Sequence, residues 1–236
     1  FPTSTIILTR EGKDLVEFKG KPVILKEYIE GRVVEYLTNT RLYKVGREIA
    51  RLHQIQPLAG IPEEHSYGLE SFDELLSLKN NTYTEWLRRK KEDITRYVAQ
   101  VDLPKALLHG DIFYDNIIFN DKGEPILIDF EESCYYYRVF DIGMCTIGTC
   151  ADASRVSSEK TRALVQGYLK VGSLLTEELK SVKLFAEYAA VATSFWRYRQ
   201  YNVIEGNLED NRFQQMVRIA NHLSKISPRI FMESIT

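Results

Sequence analysis

The chain has 236 residues, 44% of apolar type and 27% charged, with thirty-one basic against thirty-three acidic side chains and a net charge of −2. That length suits one large domain or two small ones, and the balanced charge leaves no positive field for nucleic acid or anionic lipid. No apolar run approaches the roughly 20 residues that span a bilayer, and three cysteines without CxxC spacing make neither a disulfide framework nor a zinc site and fit a reducing, cytoplasmic setting.

Residues 1–30 read as short strands and tight turns, part of a β meander. Thr5–Leu8 is β-branched and apolar, Leu15–Phe18 alternates and Val23–Leu25 is apolar, with turns at Glu11-Gly12 and Gly20-Lys21-Pro22. From Thr40 the period changes. Leu42, Val45, Ile49 and Leu52 recur at steps of three and four, the stripe of an amphipathic helix. Residues 72–99 continue in that style through Leu75, Leu76, Trp86, Leu87, Ile94 and Val98. Arg88-Arg89-Lys90-Lys91, followed by Glu92-Asp93, is the solvated face of that helical stretch. Ala106–Leu108 is a short apolar run. Ile117–Phe119 and Pro125–Phe130 are two more, and Asn120-Asp121-Lys122-Gly123 between them predicts a hairpin. Leu179, Val182, Ala186, Ala189, Thr193 and Trp196 then mark one face of a long helix, with Thr176 as its expected N-cap. Phe213, Met216, Val217, Ala220 and Leu223 mark a last helix, which Pro228 is expected to stop.

The densest polar cluster surrounds the hairpin: His109-Gly110-Asp111, then Asp115-Asn116, then Asp129 within Leu127-Ile128-Asp129-Phe130-Glu131. Asp111 and Asn116 stand five residues apart in a loop before the first hairpin strand, and Asp129 ends the second. The hairpin therefore folds Asp129 back toward the loop. Oxygen donors without His or Cys suit a hard cation such as Mg²⁺, which keeps some waters and binds phosphates. A carboxylate beside them can accept a proton from an alcohol, the minimum apparatus of phosphoryl transfer to a hydroxyl. A lone Asp before a hairpin would be a turn or cap residue; the joint pattern is more specific.

His109-Gly110-Asp111-Ile112-Phe113-Tyr114-Asp115-Asn116 followed by Ile128-Asp129-Phe130 resembles the kinases of the aminoglycoside phosphotransferase and choline kinase superfamily. Gly46-Arg47-Glu48-Ile49-Ala50-Arg51-Leu52-His53 is similar to the helix after the hinge in that superfamily, and Val139-Phe140-Asp141-Ile142-Gly143 to its segment after the metal aspartate. The resemblance covers nearly the whole chain. It implies an α+β, protein-kinase-like, two-lobe fold. Residues 1–31 would be the remainder of a truncated small β lobe with the hinge, and residues 32–236 a mostly helical large lobe with catalytic loop and metal-binding hairpin. It implies Asp111 as the catalytic base and Asn116 and Asp129 as Mg²⁺ ligands, with Glu131 a further candidate ligand. His109 and Asp141 would order the loop. Glu27, Tyr28 and Ile29, as the hinge, would offer backbone groups to the adenine of ATP. Val23-Ile24-Leu25-Lys26 imitates the lysine strand of such kinases, but Glu27-Tyr28-Ile29-Glu30-Gly31 and a helix follow at once, as after a hinge. The Gly-rich loop and lysine strand are accordingly expected upstream of Phe1, which opens the chain in place of Met.

Three stretches are similar to homoserine kinase-like members: the catalytic loop with Tyr114, Gly167-Tyr168 through Leu174-Leu175-Thr176-Glu177-Glu178, and Phe195-Trp196 with Arg199-Gln200-Tyr201. An amino-acid acceptor presents a carboxylate, and arginine offers it a planar fork. Arg199 is the matching position and Arg197 the second candidate, while Ser194 stands where those members tend to carry another arginine. The alternative is a choline or ethanolamine kinase-like enzyme, with Tyr135, Tyr136, Tyr137 and Trp196 beside Glu131 and Glu132 as a cage for a quaternary ammonium, or another aminoglycoside phosphotransferase-like kinase. A non-catalytic nucleotide-binding domain is a further alternative, supported by the missing lysine and Gly-rich loop and opposed by the intact base and metal ligands. The expected partner is a small-molecule hydroxyl substrate, with neither nucleic acid nor membrane.

Overall fold

The computed structural model describes residues 1–236. In chain order it contains β1 (Val16–Phe18), β2 (Lys21–Val23), β3 (Arg32–Val33), α1 (Asn39–Leu52), α2 (Phe72–Leu78), α3 (Thr82–Val98), β4 (Lys105–Leu107), β5 (Ile117–Phe119) and β6 (Pro125–Leu127). There follow β7 (Tyr135–Tyr137), α4 (Val139–Thr149), β8 (Ala151–Asp152), β9 (Arg155–Val156), α5 (Ser158–Val171), α6 (Thr176–Arg197), α7 (Phe213–Leu223) and α8 (Pro228–Ile235).

The helices carry the core because their apolar residues recur at the helical period. Leu42, Val45, Ile49 and Leu52 are buried on α1, and Val182, Ala186 and Ala189 on α6, as their spacing predicts. The helical stretch over 72–99 is two helices. Asn81 interrupts it, accepting the Thr84 N–H while the Thr84 hydroxyl takes the Asn81 N–H, a reciprocal box that starts α3 afresh. Thr176 is the first residue of α6 and not its cap. Leu175 holds that position, and its N–H donates to Glu178 Oε2 at 2.8 Å. Pro228 opens α8, where its missing N–H is no loss, and α7 has already ended at Leu223.

The predicted hairpin forms: β5 pairs antiparallel with β6, Ile117 opposite Leu127, and β3 adds on the far side of β5. β4 pairs with β7, so the two small sheets bracket the loop between β4 and β5. At the N-terminus β1 and β2 form a hairpin, but Thr5–Leu8 makes only one bridge, Ile6 to Lys26. No residue before Leu37 is buried. Apart from the β3–β5 pairing, only slight ties hold that segment to the body, among them the Thr3 hydroxyl on Leu127 O at 2.9 Å and the Phe1 ring edge-on to Phe130.

α1 and α5 pack backbone to backbone through two glycines: Gly46 lies against Leu164 O, and Gly167 against Tyr43 O. No helix is long and apolar enough to cross a membrane.

Deep between α3, α6 and α7, Glu187 accepts from Lys90 (2.7 Å), Lys183 (3.0 Å) and the Ser224 hydroxyl (2.8 Å). Burial works to raise the Glu187 carboxyl, but the two lysines outweigh it and hold the group below its ordinary 4.5. Its charge therefore contributes stability in full above pH 4.5 and loses that contribution as pH falls through the lowered folded value. Glu187→Gln should cost about 3 kcal/mol in urea unfolding at pH 7, because two lysines lose their buried counter-charge. The gap from the parent should shrink markedly at pH 3; an equal gap at both pH values would refute the charge account.

Candidate active site

The loop from His109 to Asn116 is shaped by a buried carboxylate beneath it. Asp141, on the first turn of α4, accepts the His109 N–H through Oδ2 (2.9 Å) and the Gly110 N–H through Oδ1 (2.9 Å). Oδ2 also receives Nε2 of His53, the residue that caps the end of α1, at 3.2 Å, and His53 Nδ1 and the Tyr168 hydroxyl of α5 share a hydrogen bond of 3.0 Å. Burial disfavours the Asp141 charge, but the His53 hydrogen bond and charge and the loop N–H groups reverse the sign and hold the carboxyl below its usual range. Three helices thus meet at one carboxylate that fixes the loop. His109 braces the other side: Nε2 donates to Ile128 O at 2.8 Å and Nδ1 accepts the Asp111 N–H at 3.3 Å. Gly110 has φ +85°, and a Cβ there would strike Glu132 O, so only glycine fits both the turn and the approach.

So placed, Asp111 has both carboxylate oxygens engaged. Oδ1 accepts the Tyr67 hydroxyl at 3.0 Å, and Oδ2 accepts Asn116 Nδ2 at 3.1 Å. Burial pushes the Asp111 carboxyl up, and the Tyr67 and Asn116 hydrogen bonds pull it back only in part. Each oxygen keeps a lone pair for a further hydroxyl. Asn116 Nδ2 also holds Asp111 O at 2.8 Å, which leaves Asn116 Oδ1 without a donor in the chain. Across the hairpin Asp129 sits in the left-handed region, φ 67°, an uncommon conformation for a residue with a Cβ and one that gathers at functional positions.

These groups share a cavity of about 610 Å³. Asp111, Asp115, Asn116, Asp129, Glu131 and Glu132 line its acidic side; Trp196, Arg197, Tyr201, Arg212 and Gln215 line the wall opposite in character. Arg197 Nη1 donates to Arg212 O and Gln215 Oε1, both at 3.2 Å. Arg212 lies 3.3 Å from the centroid of the Tyr201 ring.

The profile of the phosphotransferase enzyme family (APH) matches residues 5–184. The chain belongs to the phosphotransferase enzyme family. Among its relatives, the homoserine kinase of Gluconacetobacter diazotrophicus is 26% identical over 205 residues, 83% of this chain and 63% of that protein. The homoserine kinase of Rhizobium meliloti is 26% identical over 188 residues, 77% of this chain and 58% of that one. The chain thus spans about three fifths of the length of the curated relatives it matches. In three dimensions it is similar to an amicoumacin kinase solved with AMP-PNP and Ca²⁺ (TM-score 0.71, 15% identity, 97% of this chain and 72% of that one). It is equally similar to a choline/ethanolamine kinase family protein from Mesorhizobium loti (TM-score 0.71, 14% identity, 99% of this chain and 78% of that one). These likenesses bear out the α+β, protein-kinase-like fold.

Within this member of the family, Asp111, Asn116, Asp129, Glu131 and Arg197 come together as their sequence positions predict, and His109 and Asp141 sit beneath them. Arg199 does not. Its guanidinium makes two 3.2 Å bonds to Glu74 of α2, away from the cavity, because the chain leaves α6 as a π-helix over Tyr198–Ile204 and rotates the positions beyond Arg197. Tyr114 stands in the 3₁₀ turn before β5 and is not part of the cavity wall. Glu27, Tyr28 and Ile29 also lie outside that wall. The tyrosine cage does not form: Tyr135–Tyr137 pair with β4, Tyr136 packs on Phe140, and only Trp196 of the four aromatics reaches the cavity. Tyr67 and Arg212, which the sequence motifs do not mark, do reach it.

Proposed function

We propose that the chain belongs to an ATP-dependent, Mg²⁺-requiring kinase that transfers a phosphoryl group to the hydroxyl of a small molecule, homoserine foremost. The observation that carries this reading is Asp111, held at both oxygens by Tyr67 and Asn116, in one cavity with the free oxygens of Asn116 and Asp129. The acceptor hydroxyl would donate a hydrogen bond to an Asp111 oxygen, and Asp111 would take its proton as the new oxygen–phosphorus bond forms and the bond from the γ-phosphorus to the bridging oxygen breaks, ADP leaving. Tyr67 and Asn116 keep that carboxylate from rotating away. Asn116 Oδ1, Asp129 and Glu131 are oxygen donors fit for a hard cation, and no cluster of three or more His, Cys, Asp and Glu side chains cages one alone. That suits an ion which keeps water and phosphate oxygens. When bound, Mg²⁺ would neutralise charge on the transferring phosphate.

Backbone groups of Tyr28 and Ile29 make no hydrogen bond within the chain, which supports Glu27–Ile29 as the segment that meets adenine. On the acceptor side, Arg197 takes the carboxylate-binding role expected of Arg199. Two guanidinium groups in the cavity favour an anionic acceptor over a quaternary ammonium, and the homoserine kinase relatives support the same choice. Three buried free cysteines suit a cytoplasmic enzyme.

The deciding test is ATP consumption by the protein at its natural length against homoserine, choline, ethanolamine, hydroxylysine and aminoglycosides. Turnover with homoserine is expected. Turnover with choline but not homoserine would overturn the acceptor, and no turnover with any of them the kinase reading. Asn116→Ala and Asp129→Ala should each weaken Mg²⁺-dependent ATP binding at least tenfold in calorimetry, with little change when Mg²⁺ is absent. Unaltered Mg²⁺ dependence in both would refute the metal assignment.

A further inference from the structure

Resting on the kinase reading, we propose that Asn202 is a positioning residue that sets acceptor selectivity by clasping Tyr198–Arg212 against the cavity. Arg212 and Tyr201 are the outer part of the cavity's basic, aromatic wall. Asp210 holds Arg212 through Nε at 2.7 Å and Nη2 at 2.6 Å, and the guanidinium plane stacks on Tyr201. Asp210 thus occupies one edge of the fork. The Nη1 edge remains for an anionic group on the acceptor.

Nothing packs the segment that delivers Arg212. Residues 204–209 are exposed, Leu208 by 82%. Besides the Asn207 N–H on Tyr201 O and Gln200 Nε2 on Glu205 Oε1, both at 3.0 Å, the buried tie on the segment is Asn202, only 6% exposed, whose Nδ2 donates to Asn207 O and Asp210 O, both at 2.9 Å. Two carbonyl partners require the amide nitrogen at that place. Its Oδ1 is buried without a donor, a penalty that stability alone gives no reason to keep.

The π-helix completes the device. The Glu205 N–H donates to Gln200 O at 3.0 Å, five residues back, which widens the turn. Trp196 and Tyr201, also five apart, then meet edge-on at 5.9 Å on the cavity side. At roughly 100° per residue an α-helix would set them about 140° apart. The chain of support runs from Asn202 to the Asp210 carbonyl, then to the Asp210 carboxylate, Arg212 and Tyr201. Arg197 joins it through Arg212 O.

The test compares homoserine with 3-aminopropan-1-ol, an amino alcohol of the same reach that lacks the carboxylate. In Asn202→Ala and Asn202→Asp the KM for homoserine should rise at least tenfold, with the KM for ATP within twofold of the parent. Preference for homoserine in kcat/KM should fall about tenfold. Hydrogen exchange should quicken over residues 205–212 and stay unchanged over the catalytic loop, 109–116. Arg212→Gln should lose the same preference without quickened exchange, which keeps the proposal testable should the Asn202 variants fail to fold. Unchanged exchange at 205–212 in Asn202→Ala, or equal loss for both acceptors, would overturn the proposal. Should the parent phosphorylate neither acceptor, the homoserine reading falls separately. Calorimetric homoserine affinity and loop exchange then decide the clasp: an Asn202→Ala affinity equal to the parent's overturns it, and a tenfold loss upholds it.

Discussion

Replacing Asp111 by Asn is expected to lower kcat by about 10²- to 10³-fold and leave ATP affinity nearly unchanged. Asn keeps the shape, and its Oδ1 can still accept the Tyr67 hydroxyl that holds Asp111 at 3.0 Å. What it loses is the ability to take the acceptor's proton at neutral pH. General-base loss costs up to about 10⁴-fold, but the phosphoryl transition state is loose and proton removal comes late, which favours the smaller penalty. The control is Asp115→Asn. Asp115 is exposed at the cavity rim with no hydrogen bond to the rest of the chain, so its loss should change kcat little. Steady-state kinetics with homoserine distinguishes the two. A sensitive Asp115 and a silent Asp111 would mean that the base is misassigned, and the metal residues with it.

The largest loss of stability from a single methyl group is expected at Gly167. A Cβ there would overlap Tyr43 O of α1, and that oxygen belongs to backbone fixed by its own helix. Gly46 meets Leu164 O from the opposite side, so the two helices cannot slide apart at one point without disturbing the other. Overpacking of this kind costs about 1–3 kcal/mol and more where backbone must move. Gly167→Ala should sit at or above the upper end, and for a chain of this size each kcal/mol lowers Tm by roughly 2–4 °C. A Tm within 2 °C of the parent would mean that the α1–α5 contact is looser than the structure has it.

The reactive half of the site was legible because it is local. His109, Asp111, Asn116 and Asp129 lie within one loop and one hairpin, and the Asn120–Gly123 turn fixes which way the second strand returns. The acceptor half was not. Tyr67 is 44 residues from Asp111 in sequence, and only the packing of the segment before α2 brings its hydroxyl to the carboxylate. Arg199 is the position that matches the homoserine kinase-like stretch, and the sequence carries no sign that the helix widens just beyond Arg197 and turns Arg199 away. Strand pairing at the N-terminus depends in the same way on what lies across from it. Its β-branched, apolar residues mark Thr5–Leu8 as able to form a strand, but only one bridge, Ile6 to Lys26, is available to complete it. Pro228 shows the ambiguity of a residue that both ends and begins helices: the signal is the same, and the chain between Leu223 and Pro228 decides.

The absence of any buried side chain before Leu37 bears on how a nucleotide would be held. Within residues 1–236, detaching that segment breaks the β3–β5 pairing but removes no buried side chain, so its amides should open at a smaller free energy than unfolds the helices. Glu27–Ile29 belong to it. A ligand that docks on Tyr28 and Ile29 binds only the attached form, and its apparent affinity is the intrinsic one scaled by the population of that form. On the proposed reading, an adenine contact at Glu27–Ile29 would within these 236 residues work as a latch closed by its own cargo, whereas Asp111 and Asp129 wait on ground that the core has already set.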